Sequence, residues 1–319
     1  MLREIEIESV SQFLHYIDKT LEQTGADFRQ ANVSGTTHFR GHSDKSYQMV
    51  PNLFRPVQMG NELNERFYEH EQVLIKDALQ LIPSEFLGST QFQQLCKMQH
   101  LGLPTRLLDV TSNPLVALFF ASADNRGSDG EIIYIPPLPV FDEAHSSVRD
   151  LVDFSFRGDW NNLDLDKFGS MLSGGNFRGK DDDNAQYAIR VLTLPFTIVG
   201  PTFSNPRIRA QAGAFLLPGM EIVSKTRCSG RLYVRLSANL TELMRLQSEG
   251  YPGSEVEGGN FRLVVPARYK RRLREQLNRV GINEGSLFPE PEHQMRYIAE
   301  SYKKGYRGLN FGWEKTFEE

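Results

Sequence analysis

The chain has few cysteines, no long apolar run and no large excess of either charge. Among its 319 residues are two cysteines, Cys96 and Cys228, and neither belongs to a C-x-x-C pair. This argues against a disulfide framework and a cysteine zinc site, and it fits a reducing cytosol. No apolar run approaches membrane-spanning length, and the N-terminal MLREIEIESV lacks the basic start of a secretory signal. We therefore expect a cytoplasmic protein with no membrane partner.

Several signatures of well-known chemistry are also missing. The sequence contains no G-x-x-x-x-G-K-[ST] phosphate loop, no Rossmann glycine fingerprint, no G-x-S-x-G elbow and no H-E-x-x-H spacing. The acidic run Asp181–Asp183 has the composition of a solvated loop, so we expect no metal site. A net charge of −4 argues against nucleic-acid binding through overall charge, although it leaves room for a local basic patch.

What the sequence does contain is 39% apolar residues, enough for a substantial core. Periodicity and end signals predict helices from Ser9 or Ser11 to Gly25, from Asn61 to Pro83, from Ser89 to Gly102, from Pro114, at Leu240–Gln247, at Tyr269–Val280 and at Glu292–Lys303. They predict strands from Thr37 to Gly41, at 130–135, Ile189–Leu194, Ala214–Leu217, Glu221–Ser224, Arg231–Leu236 and Phe261–Val265. Because no regular βαβ repeat is present, we predict an α+β fold with a mixed, mainly antiparallel sheet flanked by helices.

We expect residues 1–319 to form a single domain, with a helical C-terminal part at about 266–304. The segment at about 136–185 is rich in Asp, Asn, Gly and Ser and has weak periodicity. We interpret it as an insertion of irregular structure and short helices, a candidate flap over a site.

The stretch Gln99–Ala121 places polar groups within an otherwise apolar run, which is typical of a ligand pocket. Its polar members are His100, Thr105, Arg106, Asp109, Thr111 and Asn113. Arg106 and Asp109 are close enough in sequence to pair on a helical turn. Alternatively, Asp109 or Asn113 caps the helix that begins at Pro114. His100 is equally open to interpretation as a core histidine without a ligand.

Two further positions carry candidate chemistry. Arg40 ends a predicted strand beside His42, and its guanidinium suits a phosphate or carboxylate, unless it pairs structurally with Asp44 or Asp109. Gln211 lies in NPRIRAQAGAF, where polar and apolar residues alternate. That period of two predicts a strand on which Gln211 hydrogen-bonds a ribose or an amide, or an ordinary solvated strand face.

A basic cluster near the C-terminus offers a different function. It contains Arg268, Lys270, Arg271, Arg272, Arg274 and Arg279. These residues form a solvated helix exterior or a phosphate-binding patch for nucleic acid. No aromatic residues are interleaved in the pattern that supports stacking on single strands.

Three motifs together resemble the FRG domain family. They are Phe39-Arg40-Gly41-His42, the long run H-x-G-L-P-T-R-L-L-D-V-T-x-N-P-L-V-A-L-F-F-A from His100, and R-x-x-x-Q-x-G-x-F from Arg207 to Phe215. Leu287-Phe288-Pro289 before the last helix is also similar, although the following residues differ from the family's usual Phe-Pro-Asp-Leu-Asp-Gly. The resemblance spans roughly Ser9 to Tyr302. Members are mostly bacterial or phage-linked proteins.

The order of these motifs also resembles that of ADP-ribosyltransferases, and the resemblance implies NAD as substrate. It implies Arg40, Thr105 and Gln211 as catalytic residues, with Thr111 as the alternative to Thr105. It implies a cofactor-binding set of Arg40, His42, His100, Thr105, Arg106, Asp109, Thr111 and Asn113. One departure is that Gln211-Ala212-Gly213 differs from the Gln/Glu-x-Glu pattern of many transferases.

The leading hypothesis is therefore an ADP-ribosyltransferase-like toxin or phage-defence effector that modifies a protein or nucleic acid. One alternative is a non-catalytic sensor of a nucleotide or a phage component. A second alternative is a nucleic-acid-acting protein that uses the basic C-terminal helix. The site hypothesis requires Arg40, Thr105 and Gln211 to converge on one cleft.

Overall fold

The computed structural model describes residues 2–30, 35–59, 61–123, 127–172, 181–200, 205–253 and 259–303. Its α-helices are α1 (Val10–Gln30), α2 (Glu71–Leu81), α3 (Gln91–His100), α4 (Pro114–Ala121), α5 (Ser146–Arg157), α6 (Leu165–Met171), α7 (Asp181–Leu192), α8 (Pro206–Ala210), α9 (Thr241–Glu249), α10 (Ala267–Arg279), α11 (Glu284–Leu287) and α12 (Pro291–Lys303). Short 3₁₀ helices cover Asn52–Phe54, Phe67–His70 and Pro83–Phe86. No helix among these residues is long and apolar enough to cross a membrane.

The strands form one large sheet and two small ones. They are β1 (Arg3–Glu6), β2 (Thr36–His42), β3 (Val57–Met59), β4 (Glu62–Asn64), β5 (Leu108–Thr111), β6 (Gly130–Leu138), β7 (Val140–Phe141), β8 (Leu163–Asp164), β9 (Phe196–Val199), β10 (Gly213–Pro218), β11 (Met220–Cys228), β12 (Arg231–Ala238) and β13 (Phe261–Val265). The large sheet has the order β1-β13-β6-β2-β5-β10-β9-β7. Its two outer pairs are parallel and the other five are antiparallel. The predicted mixed, mainly antiparallel α+β fold is confirmed.

Helices cover both faces of the large sheet. Along β6, Ile132 and Tyr134 belong to the core beneath α1, α4 and α10, whereas Ile133 and Ile135 face the core beneath α9. This alternation follows from the period of two in an extended strand, where successive side chains point to opposite faces. Both faces of β6 are therefore buried, as its continuous apolar sequence requires.

The Phe-Arg-Gly motif lies on β2, where the three side chains have three different surroundings. Phe39 is buried, Arg40 is half-buried, and Gly41 lies directly against α4. A Cβ atom added to Gly41 would lie 1.9 Å from the backbone oxygen of Ala117. Only glycine therefore permits this approach of helix to strand. The strand does not end at Gly41, as the sequence predicts, but continues to His42 because β6 pairs with it throughout.

The segment at about 136–185, for which irregular structure and short helices are predicted, contains helices α5 and α6 and the start of α7 among its described residues. Helix α5 buries Val148, Leu151 and Phe154 in the largest core, where α2 and α3 also pack. Helix α7 begins at Asp181, where a solvated loop is predicted, and it includes most of the predicted strand Ile189–Leu194. This segment therefore supplies residues to the core of the fold.

Three further local predictions are wrong. The helix predicted from Asn61 begins only at Glu71, after the β3–β4 hairpin, and Leu63 and Leu81 are 58% and 82% exposed. Helix α1 continues past Gly25 to Gln30. The predicted strand around Gln211 begins as helix α8, because Asn205 caps the nitrogens of Arg207 and Ile208 and Pro206 occupies the first turn.

Candidate functional site

Arg40, Asp109 and Gln211 line one cleft of about 350 Å³, which we call the inner cleft. Arg40 comes from β2, Asp109 from β5 and Gln211 from the end of α8. The aromatic residues Phe39, Phe120 and Phe215 also line it. The predicted convergence therefore holds for Arg40 and Gln211. Thr105 lies behind the wall of the inner cleft and does not line it.

The guanidinium of Arg40 is held at two of its three nitrogens. Nε donates to His42 Nε2 over 3.0 Å, and Nη1 donates to the backbone oxygen of Asp109. Nη2 has no hydrogen bond to any described residue, so it is the donor that remains for a ligand. Arg40 therefore bonds the backbone of Asp109, while its charge acts on the Asp109 carboxylate through space.

Behind Arg40 lies a buried polar chain, which we call the Arg40 network. His42 contacts Glu131 through Nδ1 at 3.4 Å. Glu131 accepts further hydrogen bonds from Arg262 Nη2 at 2.6 Å and from Gln247 Nε2 at 2.5 Å. His42 and Glu131 are both buried and neither lines the inner cleft. His42, predicted to bind cofactor, is thus placed to support Arg40 instead of touching a ligand.

Asp109 is the carboxylate of the inner cleft. Its side chain is open to solvent at the mouth but walled by protein on its other sides. This burial raises the pKa of the Asp109 carboxyl, against the opposing effect of the Arg40 and Arg207 guanidiniums. Asp109 does not pair with Arg106, which corrects that interpretation, and of the two predicted caps of α4 it is Asn113 that caps the helix. A carboxylate between two arginines in an aromatic-walled cleft is a site where positive charge on a ligand can be stabilised.

Thr105 acts on Asp109 through Gln99. The Thr105 hydroxyl donates to Gln99 Oε1 over 2.6 Å, and Gln99 Nε2 donates to Asp109 Oδ2 over 2.8 Å. A hydroxyl that donates can bond only the oxygen of the Gln99 amide. The amide nitrogen is therefore the group that faces Asp109. Thr105 therefore reaches the inner cleft through Gln99, without lining it.

Gln211 and Thr111 join α8 to β5. The Thr111 hydroxyl donates to the backbone oxygen of Gln211 over 2.6 Å, and Gln211 Nε2 donates to the backbone oxygen of Leu287 over 3.1 Å. Thr111 and Gln211 both line the inner cleft. One N–H of Gln211 Nε2 is used in this bond, so its amide oxygen and its second N–H remain for a ligand.

Arg106 and Asn113 have structural roles, which corrects their assignment to the binding set. Arg106 is 0% exposed, forms a two-point ion pair with Glu71, and lies over the rings of Phe154 and Trp160. Asn113 caps α4 by accepting a hydrogen bond from the backbone nitrogen of Leu115. Neither residue lines the inner cleft.

A second space, the outer chamber, adjoins the inner cleft and has a volume of about 520 Å³. Both spaces are lined by Cys96, His100, Asn205, Arg207 and Ile208. His100 is exposed at this junction, so it is not a core histidine. Its Nε2 lies 3.4 Å from Glu290, and Arg207 lies 3.7 Å from the same carboxylate while stacking on Phe288. The junction therefore carries the cationic side chain of Arg207, which faces both spaces.

Cys96 also lines the junction but is not an activated nucleophile. Burial raises the pKa of its thiol well above the ordinary value, and the negative charges of Asp109 and Glu143 raise it further. The thiol is therefore protonated at neutral pH. Among the described residues, no group of three or more His, Cys, Asp or Glu side chains is arranged to hold a metal ion.

Three of the six residues in the basic cluster at α10 form ion pairs with acidic residues. Arg268 pairs with Glu6, Arg271 with Glu275 and Arg274 with Glu284. Lys270 is buried and donates to the backbone oxygens of Ser43 and Ala123. This arrangement favours the interpretation of α10 as a structural helix over that of a nucleic-acid patch.

Sequence reasoning missed several lining residues, and two of them carried a usable signal. Arg207 follows Asn205-Pro206, the same helix-start pair as Asn113-Pro114, so a short helix was predictable there. Gln99 is the first residue of the stretch singled out above. Phe39, Phe120 and Phe215 carried no signal, because an aromatic cleft wall and an aromatic core have the same local pattern.

Residues 35–130 match the family model described as FRG domain, which confirms the family resemblance for this part of the chain. The matched range includes Arg40, Gln99 and Asp109, but not Arg207 or Gln211. No curated protein gives a significant match to the chain. No solved structure gives one either.

Proposed function

We propose that this chain, with its FRG domain, binds NAD across the inner cleft and transfers the ADP-ribosyl group to a protein or nucleic acid. The observation that carries the proposal is the Asp109 carboxylate between Arg40 and Arg207 in a cleft with aromatic walls. The two guanidiniums supply positive charge for the pyrophosphate of NAD, and the carboxylate supplies negative charge for its reacting ribose.

The two arginines are suited to the pyrophosphate. Arg40 has Nη2 left for a phosphate oxygen, and Arg207 faces both the inner cleft and the outer chamber. Guanidinium groups donate to phosphate oxygens in a planar geometry and stay charged at any physiological pH. Phe120 or Phe215 provides a flat apolar face for a nicotinamide or adenine ring.

The transfer needs no redox partner. The bond between ribose C1′ and the nicotinamide nitrogen breaks, and its electron pair leaves with nicotinamide. Positive charge then develops on the ribose, where the Asp109 carboxylate stabilises it. A heteroatom of the acceptor forms the new bond to C1′ and releases its proton to solvent. Gln99 and Thr105 keep Asp109 in place during this step.

The test is release of nicotinamide from NAD by the purified chain, with and without cell extract, together with transfer of labelled ADP-ribose to macromolecules. We expect Asp109→Asn to lower the rate by at least about 100-fold, a size typical of a lost electrostatic group. Arg209→Gln is the control, because Arg209 lies on α8 next to the site but lines neither space. If the wild type neither releases nicotinamide nor transfers label, the chain is not a transferase.

A second candidate is a sensor that binds a nucleotide without chemistry. The observation that favours it is that Asp109 is the only carboxylate among the described lining residues of the inner cleft, while Gln211 has its amide nitrogen tied to Leu287. This candidate predicts saturable NAD or nucleotide binding in calorimetry, weakened by Arg40→Gln, with no nicotinamide released.

As a biological role we propose a toxin or phage-defence effector. Expression in a bacterial cell is then expected to stop growth. Asp109→Asn should relieve that arrest, whereas a sensor without chemistry would leave growth unchanged for both proteins.

A further inference from the structure

Besides the backbone of Asp109, the Arg40 network draws its residues from four elements. Arg40 and His42 lie on the same face of β2, Glu131 is on β6, Arg262 on β13 and Gln247 on α9. His42 and Glu131 are closed to solvent. The network therefore links a buried part of the protein to the mouth of a cleft.

Hydrogen-bond roles fix the protonation state of His42 in this arrangement. An arginine nitrogen can only donate, so the bond from Arg40 Nε makes His42 Nε2 an acceptor. The imidazole is then neutral, with its proton on Nδ1, directed at Glu131 Oε1. Glu131 in turn faces the guanidinium of Arg262 and the amide of Gln247.

We propose that His42 and Glu131 are positioning residues that orient Arg40 for an anionic ligand, and that this orientation is lost when His42 gains a second proton. A doubly protonated imidazole presents an N–H to the Arg40 N–H, so the two groups repel and the bond breaks. The identity of the anion as NAD rests on the proposed function, whereas the positioning itself does not.

The groups around His42 determine the pH range in which it gains the second proton. The charged or titratable groups around it are Glu131 on β6, Arg40 on β2, Arg55 after the first 3₁₀ helix, and the Tyr47 ring with centroids 6.2 Å apart. Burial lowers the pKa of His42, Glu131 raises it, and Arg40 and Arg55 lower it. His42 is thus neutral at pH 7, and the Arg40 bond is lost as the pH falls below the ordinary histidine range.

The first measurement needs no ligand. Side-chain NMR spectra of the full chain report the Arg40 Nε–H signal, which is assigned by its loss in Arg40→Gln. This signal should shift between pH 8 and pH 5. In His42→Gln the shift should be absent, because an amide accepts from Arg40, donates to Glu131 and does not titrate in this range. His38→Gln is the matched control: His38 is a buried histidine on β2 that bonds Thr36 instead of Arg40. In His38→Gln the Arg40 Nε–H signal should shift with pH as it does in the wild type.

The second measurement is calorimetric binding of inorganic pyrophosphate and of NAD over the same pH range. Towards pH 5, wild-type affinity for both should fall at least tenfold further than that of His42→Gln, in which only the ligand and the other groups of the cleft titrate. His42→Leu should bind at least tenfold more weakly throughout. If pyrophosphate follows this pattern and NAD does not bind, the proposed function is wrong and the positioning stands. If the wild type and His42→Gln give the same NMR and binding profiles, the positioning proposal is overturned.

Discussion

At the scale of single residues, the Phe-Arg-Gly motif combines three requirements in consecutive positions. Phe39 belongs to the core, Arg40 to the cleft and Gly41 to the contact with α4. Alternation along β2 assigns Phe39 and Gly41 to one face and Arg40 to the other. The motif therefore joins packing and binding, and substitutions at its three positions should have different effects.

Gly41→Ala should destabilise the protein by about 3 kcal/mol, because the new methyl group would overlap the backbone of α4 and force the helix away from the sheet. Urea unfolding followed by circular dichroism measures this. Gly88→Ala is the comparison, since an added Cβ there meets nothing within 4 Å and only its positive φ of 68° is strained. Equal losses for the two variants would contradict the close contact.

Asp109→Asn should raise the melting temperature at neutral pH while it abolishes activity. Since burial raises the pKa of Asp109, the folded state binds a proton more readily than the unfolded chain does. Ionisation of Asp109 therefore costs stability as the pH rises above the ordinary carboxyl value of 3.8. Asparagine still accepts from Gln99 and carries no charge.

Melting curves of both proteins from pH 3 to pH 8 would show this dependence. The gain in melting temperature should vanish towards the acidic end of the range. A variant that is less stable than wild type at pH 7 would show that the arginines outweigh burial at Asp109.

At the scale of elements, two Asn-Pro pairs begin two helices with different consequences. Asn113 caps α4, which is buried on nearly every side, and Asn205 caps α8, which carries Arg207. The same local signal thus supports the core in one place and the binding site in the other.

Asn113→Ala should lower stability by about 1 kcal/mol, the usual value of an N-cap. Asn205→Ala should lower stability less, because the five-residue α8 buries no side chain, but should weaken NAD binding by loosening Arg207. Unfolding and calorimetry on both variants separate the two effects. Loss of affinity in Asn113→Ala alone would argue against α8 as part of the site.

The buried pair of Glu71 and Arg106 joins helix α2 to the loop that precedes strand β5. Removal of one partner leaves an unpaired charge in the core. Glu71→Ala should therefore lower the free energy of unfolding by about 3–5 kcal/mol. The double variant Glu71→Leu with Arg106→Met should recover most of this loss, because it leaves no buried charge. Arg245→Ala is the control, since Arg245 and Glu249 form a pair that is 54% and 48% exposed and worth about 0.5 kcal/mol. A double variant no more stable than Glu71→Ala would mean that the pair also fixes the packing of α2.

At the scale of the whole molecule, the part of the chain that matches the FRG family does not contain a complete core. Strand β2 takes most of its pairing from β6, which begins at Gly130, and β5 pairs with β10 at Gly213–Pro218. The largest core also needs α5 and α7. The helical segment that the sequence suggested as a flap is therefore a part of the fold.

A fragment of residues 35–130 should accordingly be unfolded when expressed alone, with collapsed amide dispersion in NMR spectra and no cooperative melting. The full chain should melt in one transition, as expected for a single domain. A folded, NAD-binding fragment would show that the matched region is autonomous.

The sequence by itself determined the features that depend on near neighbours. The start of α4 follows from Asn113-Pro114, and the strand character of β6 and β13 follows from their runs of apolar, partly β-branched residues. The choice of Gln99–Ala121 as part of a site also depended only on residue types within that stretch, and His100, Asp109 and Thr111 do line the cleft. Predictions failed where a short window fitted two periods, as at α7 and α8.

Tertiary structure alone decided which polar residues face a ligand. Arg106 and Asp109 are three residues apart, yet Arg106 turns into the core to meet Glu71 while Asp109 faces the cleft. His42 owes its role to Glu131, 89 residues away, and Arg40 to the backbone of Asp109, 69 residues away. A polar side chain in an apolar stretch needs a partner, but its own neighbours in sequence do not show whether that partner is another part of the chain or a ligand.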